Sequence, residues 1–289
     1  MLGAMETWYD MHCHVGFTPD AAATARAGGG AGISALSCTV SPGEYERLAS
    51  TLAEVANVRV ALGAHPWWVA DGRIGEAELE AFCALAPAVH FIGEIGLDFA
   101  GPRDTPESRA LQTAALKRML AACDEKTPAA PSAVGDAPGN AAATNAPGAA
   151  PAALLTPAAP KLVSLHAVNS AGAVLDLLEE VRFTDRHQVI FHWFSGTSDD
   201  LRRALRAGCF FSVGPRMLAS RRGREYARQI PLDRLLLETD MPAHAGEPLP
   251  PNLWRAELDN ALAGIAQLKR HDRATTLDIL NATSISLLA

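Results

Sequence analysis

Short segments rich in β-branched and aromatic residues alternate with helical patterns along the chain. Eight segments have this character: WYDMHCHV, ISALSCTV, VRVALGAH, VHFIGEIG, KLVSLHAV, QVIFHWF, CFFSVG and LDRLLLETD. Strands that alternate with helices pair in parallel, and eight of them with short connections most simply close into a barrel. The sequence therefore predicts an α/β fold, a (β/α)8 TIM barrel.

The helical patterns lie between these predicted strands. They predict helices at 43–56, 76–86, 106–124, 171–181, 199–207, 220–229 and 253–269. The connection 19–27 between the first two strands is short and alanine-rich, and 272–288 has the pattern of a terminal helix beyond the barrel.

Residues 127–160 differ in composition from the rest of the chain. Ala, Pro and Gly dominate, and Asp136 is the only charged residue. Such a segment buries too little apolar surface to fold, and its prolines break helices. We interpret it as a disordered loop inserted between the helix 106–124 and the fifth strand; a linker between two domains is the alternative. Removing its 34 residues from the 289 leaves 255, close to the about 250 of a simple barrel, so we expect one domain over 1–289.

Composition limits the class of protein. The net charge of −7 and the isoelectric point near 5.7 exclude a broad basic surface for nucleic acid, but not a local positive site supplied by metal ions. The five cysteines are odd in number and form no CxxC pair, which favours reduced thiols over disulfides or thiolate zinc sites. No signal peptide or membrane span is evident, so we expect a cytoplasmic protein.

Histidine and carboxylate residues fall at the carboxyl ends of the predicted strands, where barrels of this kind carry their active sites. Because successive strand side chains alternate between faces, His12 and His14 are expected to point into the mouth, with Cys13 packed behind them. The residues expected at this rim are His12, His14, His65, Glu94, His166, His192 and Asp240.

Taken singly, each of these residues has an ordinary structural interpretation, as a hydrogen-bonded core histidine or a helix cap. Together, the four histidines of strands one, five and six and the two carboxylates would be costly to bury without a partner. A divalent cation is the natural compensation, and nitrogen and oxygen ligands suit Zn, Mn, Ni or Mg. Six ligands are too many for one catalytic zinc, so we expect two ions, with Glu94 as the bridge.

Five motifs, in the order DMHCH, GAHP, GEIGLDF, HWFSG and ETDMP, resemble those of the TatD-type metal-dependent hydrolases of the amidohydrolase-like barrel superfamily. The resemblance runs from Tyr9 to the C-terminal helix and leaves out the insert. It implies a dinuclear site and phosphodiester cleavage, commonly as a DNase with exonuclease activity.

By position, the resemblance implies a role for each rim residue. His12, His14, Glu94 and Asp240 would hold one ion, and Glu94, His166 and His192 the other. Asp240 would also act as general base, and His65 would lie near the substrate phosphate. Asp98, Ser195 and Glu238 lie in matching motifs.

Three positions depart from the usual family pattern. Val168 stands where an Arg usually follows the fifth-strand His, Val15-Gly16 replaces Leu-Asp, and Ala243-His244 follows TDMP in place of an aromatic residue. Phosphotriesterase-like barrels carry a modified Lys at strand four, where this chain has Glu94. The departures affect the surroundings of the substrate and leave the ligand set complete.

We therefore predict a two-metal-dependent deoxyribonuclease that acts as a monomer on single-stranded DNA or frayed ends. Phosphate contacts are expected from Arg216, Arg221 and Arg222 after the seventh strand; a solvated helix start is the alternative interpretation of these three arginines. The lost Arg at position 168 favours an alternative, a hydrolase of a small amide, ester or lactone. A binding module with little catalysis is a third hypothesis.

Overall fold

The computed structural model describes residues 6–125 and 160–289. Parallel strands occupy all the predicted positions: β1 (Trp8–Cys13), β2 (Ile33–Cys38), β3 (Val58–Ala61), β4 (Phe91–Asp98), β5 (Leu162–Val168), β6 (Gln188–His192), β7 (Phe210–Val213) and β8 (Leu235–Leu237). The predicted loop 127–160 lies outside the described residues, apart from Pro160.

Hydrogen bonds join the strands into a closed barrel. Strands β1–β3 form one parallel ladder and β4–β8 a second. A parallel bridge between Leu62 and Ile92 joins the two ladders on one side. On the other side, the amide of Asp240 donates to the carbonyl of His12 at 2.9 Å. The predicted (β/α)8 TIM barrel is confirmed.

Helices cover the outside of the barrel: α1 (Ala21–Gly30), α2 (Pro42–Thr51), α3 (Pro66–Ala70), α4 (Glu76–Leu85), α5 (Pro106–Cys123), α6 (Ala171–Glu180), α7 (Ser198–Arg206), α8 (Pro215–Ala219), α9 (Arg221–Gln229), α10 (Pro251–Lys269) and α11 (Arg273–Leu288). Side-chain oxygens cap the N-termini of several helices. Ser41, Thr105 and Asp272 accept hydrogen bonds from first-turn amides of α2, α5 and α11. Helices α3 and α8 were not predicted, because five residues are too few to show a helical period. Helix α1 was not predicted either, because the connection 19–27 was interpreted only as a short alanine-rich link.

Two apolar clusters fill the molecule. The larger lies between strands and helices and contains Cys13, Phe82 and Trp254. The smaller contains Met11 of β1, Leu36 of β2 and further residues of the strands, with Leu287 of α11. It fills the barrel interior, as side-chain layers do in this fold. Within the described ranges, no helix combines the length and apolar character needed to cross a bilayer.

Candidate metal centre

The predicted rim residues converge on one cavity at the carboxyl ends of the strands. Its volume is about 970 Å³, and His12 is fully buried next to it. Gly63, after β3, is needed for this geometry, because a Cβ there would overlap the carbonyl of Thr39. That carbonyl accepts from the amide of Glu94 at 2.9 Å. The cavity is lined by His14, His65, Glu94, His166, His192 and Asp240, among others.

Glu94 lies at the centre, and the histidines of the site face its carboxylate. The nitrogen-to-oxygen distances are 2.6 Å to Nδ1 of His166, 2.8 Å to Nε2 of His192, 3.2 Å to Nε2 of His65 and 3.5 Å to Nε2 of both His12 and His14. Burial raises the pKa of Glu94, but the imidazoles outweigh burial and hold it well below its usual value. The carboxylate is therefore an anion at neutral pH.

The first ligand group joins β1 to β8. Oδ1 of Asp240 lies 3.3 Å from Nε2 of His14 and 3.8 Å from Nε2 of His12. One donor atom from each of these three residues lies within 4.8 Å of the others. Asp240 sits at φ 54°, in the left-handed region that non-glycine residues rarely adopt. Such conformations cluster at functional sites.

Hydrogen bonds fix how His12 and His14 face this group. Nδ1 of His14 lies 3.0 Å from the carbonyl of Cys38. Because a carbonyl only accepts, Nδ1 carries the proton in the neutral ring, and the Nε2 lone pair faces the carboxylates. Nδ1 of His12 lies 2.8 Å from Oγ of Ser164, and its buried Nε2 has no hydrogen-bond partner among the described residues. This is the arrangement of a metal-ligating histidine.

The second ligand group lies between β4, β5 and β6. Nδ1 of His166 lies 2.6 Å from Oε1 of Glu94, and Nε2 of His192 lies 2.8 Å from the same oxygen. The other nitrogen of His166, Nε2, lies 2.9 Å from Oδ2 of Asp98. Two further sets of three residues each have donor atoms within 4.8 Å of one another: His12, Glu94 and His192, and His65, Glu94 and His166.

The electrostatics of the cluster fit a bound cation. Burial lowers the pKa of His14 and of His166, but their carboxylate neighbours outweigh it and raise both to about 9. Burial raises the pKa of Asp240, yet the histidines lower it to about 2. The site therefore favours positive charge in both ligand groups. Nitrogen and oxygen donors with an unpaired buried imidazole nitrogen are suited to a divalent transition metal.

His65 differs from the other histidines. Its Nδ1 accepts from the amide of Trp67 at 3.1 Å, so Nε2 carries the proton in the neutral ring. Burial lowers the pKa of His65, which favours that neutral form. Nε2 is thus a hydrogen-bond donor, and it faces Oε1 of Glu94 at 3.2 Å.

Of the predicted arginines, one reaches the centre. Nη1 of Arg216 lies 3.4 Å from Oδ2 of Asp240, and the residue lines the cavity. Arg222 instead donates to the hydroxyl of Tyr226, and neither it nor Arg221 lines the cavity.

Two further residues support the ligands, and their contacts were not predicted. Asp98 contacts His166, and Ser164 contacts His12. A signal for both is present, because Asp98 is four residues after Glu94 and Ser164 two before His166, on the same strand faces. The pairing of Gly96 with His166 between β4 and β5 sets which side chains meet.

A parallel barrel with a histidine–carboxylate cluster at the carboxyl ends of its strands has the fold and the donor groups of a metal-dependent hydrolase. The sequence model described as "TatD related DNase" matches residues 9–128 and 156–289. The chain belongs to this family. The match leaves out 129–155, inside the predicted insert.

Curated relatives are similar over part of the chain. The human deoxyribonuclease TATDN3 is 32% identical over 81 residues, 28% of each protein. The mouse putative deoxyribonuclease TATDN3 is 31% identical over 107 residues, 37% of this chain and 35% of that protein. The aligned segments thus span about a third or less of these relatives' own length.

Solved structures of the family share the barrel fold. YJJV, a TatD homolog from Escherichia coli, has a TM-score of 0.67 at 21% identity, covering 97% of both chains. A TatD family hydrolase from Entamoeba histolytica has a TM-score of 0.68 at 15% identity, covering 98% of this chain and 99% of the other. The low identities make this a likeness of fold alone.

Proposed function

We propose that the protein is a deoxyribonuclease that hydrolyses phosphodiester bonds with two divalent ions, Zn, Mg, Mn or Ni. The observation that carries the proposal is Glu94, which lies between two ligand groups with a separate carboxylate oxygen toward each. One ion would be held by His12, His14, Glu94 and Asp240, and the other by Glu94, His166 and His192.

The side chains of the cavity supply the remaining chemistry. When bound, the ions would lower the pKa of water and neutralise charge on the phosphate. Asp240 is ionised at neutral pH and would accept the proton of the attacking water. Nε2–H of His65 would donate to a phosphate oxygen, and Arg216 would add a positive charge beside it.

We also propose a single domain over 1–289 with 127–160 as an inserted loop, since β4 and β5 pair directly although the insert separates them in sequence. We expect a monomer that acts on single-stranded DNA or frayed ends. A cytoplasmic location is favoured by the five cysteines, all of them free.

Cleavage of labelled single-stranded DNA by the full chain tests this function. Chelator-treated protein should regain cleavage with at least one of Mg, Mn, Zn or Ni, and chelator should abolish it. Asp240→Asn should lower the rate by about 100-fold or more, because it removes the proposed general base and a ligand. Asp278→Asn, the same change at an exposed position of α11, should leave the rate unchanged. No chelator-sensitive cleavage with any metal would contradict the proposal.

A second candidate function is hydrolysis of a small amide, ester or lactone at the same centre. It is favoured by the apolar wall formed by Ala167 and Val168, which line the cavity beside His166. Chelator-sensitive turnover of nitrophenyl esters or lactones, without any DNA cleavage, would favour it.

A further inference from the structure

Two tryptophans are exposed at the rim of the metal centre. Trp67 is 42% exposed and Trp193 is 36% exposed, and both line the cavity. The other large apolar side chains exposed in residues 6–125 and 160–289 lie away from it: Leu111, Leu253 and Ile285. Large aromatic side chains exposed at a concave site indicate a ligand surface.

Trp67 is held in one orientation by polar contacts. Its Nε1–H donates to Oδ2 of Asp98 at 2.5 Å, and the guanidinium of Arg103 lies 4.6 Å from the ring centre. The ring also meets that of His166 edge to face, with centroids 6.0 Å apart. The indole is therefore fixed beside a proposed ligand, and binding on it would cost little ordering of the side chain.

Trp193 is on another part of the rim. It follows His192 at the end of β6 and has φ 39°, a left-handed conformation that is costly for a bulky residue. Strands β4 and β5, which carry Glu94 and His166, lie between β3 and β6 in the barrel. The two indoles thus flank the metal centre.

Positive charge accompanies these rings, although the chain has a net charge of −7. The guanidinium of Arg73 lies 4.4 Å from the ring centre of the neighbouring Trp68, and that of Arg103 lies over one face of the Trp67 ring. Arg47, Arg73 and Arg216 line the cavity. Aromatic rings interleaved with arginines are the combination by which proteins bind single strands, through base stacking and phosphate contacts.

We propose that Trp67 and Trp193 stack on unpaired nucleobases of the substrate strand, one on each side of the scissile phosphate. This inference rests on the proposed function. It adds the nucleobase to the phosphate as a part of the substrate that the protein recognises. A base in a duplex is already stacked and paired, so only single strands and frayed ends present the face that the indoles bind. The selection of unpaired DNA would follow from these two side chains.

The test compares a short labelled oligothymidylate with an abasic strand of equal length. Binding is measured by fluorescence anisotropy, with the full chain in the Asp240→Asn background, which slows cleavage. Trp193→Ala should weaken binding of the oligothymidylate about tenfold and leave the abasic strand unaffected. Trp67→Ala should weaken binding of the oligothymidylate about tenfold, and more than it weakens binding of the abasic strand, because it also removes the hydrogen bond to Asp98. Equal weakening for both strands, no weakening for either, or no binding of oligothymidylate before substitution would overturn the proposal.

A conservative variant separates stacking from support of Asp98. Trp67→Phe keeps an aromatic face but loses the hydrogen bond to Asp98, so it should retain most of the affinity that Trp67→Ala loses. Affinity as low as that of Trp67→Ala would show that the ring acts only through Asp98 and would overturn the role of Trp67. Ile285→Ala, at the most exposed of these apolar positions, is the control for surface truncation and should change nothing.

Hydrolysis of bis(p-nitrophenyl) phosphate, measured with Asp240 intact, distinguishes failure of the proposed function from failure of the stacking proposal. This diester has no nucleobase, so its hydrolysis by the unaltered chain reports the proposed metal chemistry separately from the binding of nucleobases. Failure of the unaltered chain to hydrolyse it or DNA with any metal contradicts the proposed function. Normal hydrolysis together with tryptophan-independent binding of the oligothymidylate contradicts the stacking proposal alone.

Discussion

Nε2 of His166 lies 2.9 Å from Oδ2 of Asp98, and this contact turns Nδ1 of the same ring toward Glu94. The other oxygen of Asp98, Oδ1, accepts from the amide of Ala100 at 2.9 Å. Burial raises the pKa of Asp98, but hydrogen bonds from His166 and Trp67 outweigh it and lower it to about 2. An ionised carboxylate therefore sets the orientation of a proposed metal ligand.

Asp98→Asn should weaken metal binding by about 10–100-fold, the usual cost of losing such a partner. The amide has a single oxygen, so it cannot accept from His166 on one side and Ala100 on the other. Competition against a chromogenic chelator measures the affinity. Asp104→Asn, an exposed residue of the same loop that pairs with Arg109, is the matched control. Equal affinities for the two variants would refute a role for Asp98.

Glu94→Gln should abolish the stabilisation of the protein by metal. In the unaltered chain, metal at about 100 times its dissociation constant should add about 2.7 kcal/mol to the free energy of unfolding. Glutamine leaves the histidines around a neutral group, which removes the charge that offsets the ion. Calorimetry with metal and with chelator measures the rise in Tm. Glu54→Gln, at an exposed position, should keep the full rise, and the proposed bridge is wrong if Glu94→Gln keeps it too.

The fold and the place of the site could be predicted because each rests on a repeated local pattern. Short apolar segments rich in β-branched and aromatic residues predicted each strand, and the barrel places every strand's carboxyl end at one rim. His12, Glu94 and Asp240 therefore meet although they are far apart in sequence. The outward packing of Cys13 into the layer between strands and helices is confirmed as well.

What could not be predicted depends on a local irregularity of β1. Asp10 pairs with Ala35 but Cys13 with Ser37, so β1 has an extra residue there, a bulge of the kind that re-aims side chains. As a result Asp10 points to Trp254 of α10 and away from the site. Strict alternation would have placed Asp10 on the same face as His12, and nothing in the local sequence marks the bulge.

Asp10→Asn should lower the free energy of unfolding by about 1–3 kcal/mol, the cost of leaving buried donors without acceptors. The fully buried carboxylate accepts from the amides of His12 and Thr239 on one oxygen. Its other oxygen accepts from the hydroxyl of Thr239 and Nε1–H of Trp254. An asparagine amide has one oxygen, so it can accept from only one of these two pairs of donors, and its NH2 group would face the other pair. Urea unfolding measures the loss, and Asp20→Asn, the N-cap of α1, should be neutral because Asn and Asp cap equally well.

His187 links the two segments of the chain that flank the predicted insert. Its Nδ1 accepts from the amide of Lys161 at 3.0 Å, and its Nε2–H donates to Oδ1 of Asp124 at 2.8 Å. The ring is buried against Phe183. These contacts satisfy the neutral imidazole, because protonation would place a second proton against the Lys161 amide. Burial lowers the pKa of His187, despite the opposing effect of Asp124.

This contact predicts a loss of stability in mild acid. Since the folded protein binds the His187 proton more weakly than the unfolded chain, the contribution of His187 is complete above the unfolded pKa of about 6.5 and decreases as the pH falls below it. His187→Phe should cost about 1–3 kcal/mol at about pH 7.5 and less at about pH 5.5. Urea unfolding is measured in chelator for the variant and for its parent. The titration of the metal-site histidines is the same in both and cancels in the difference. His271→Gln, at an exposed position, is the control and should leave the free energy of unfolding unchanged. A cost for His187→Phe that is the same at both pH values would refute the linkage.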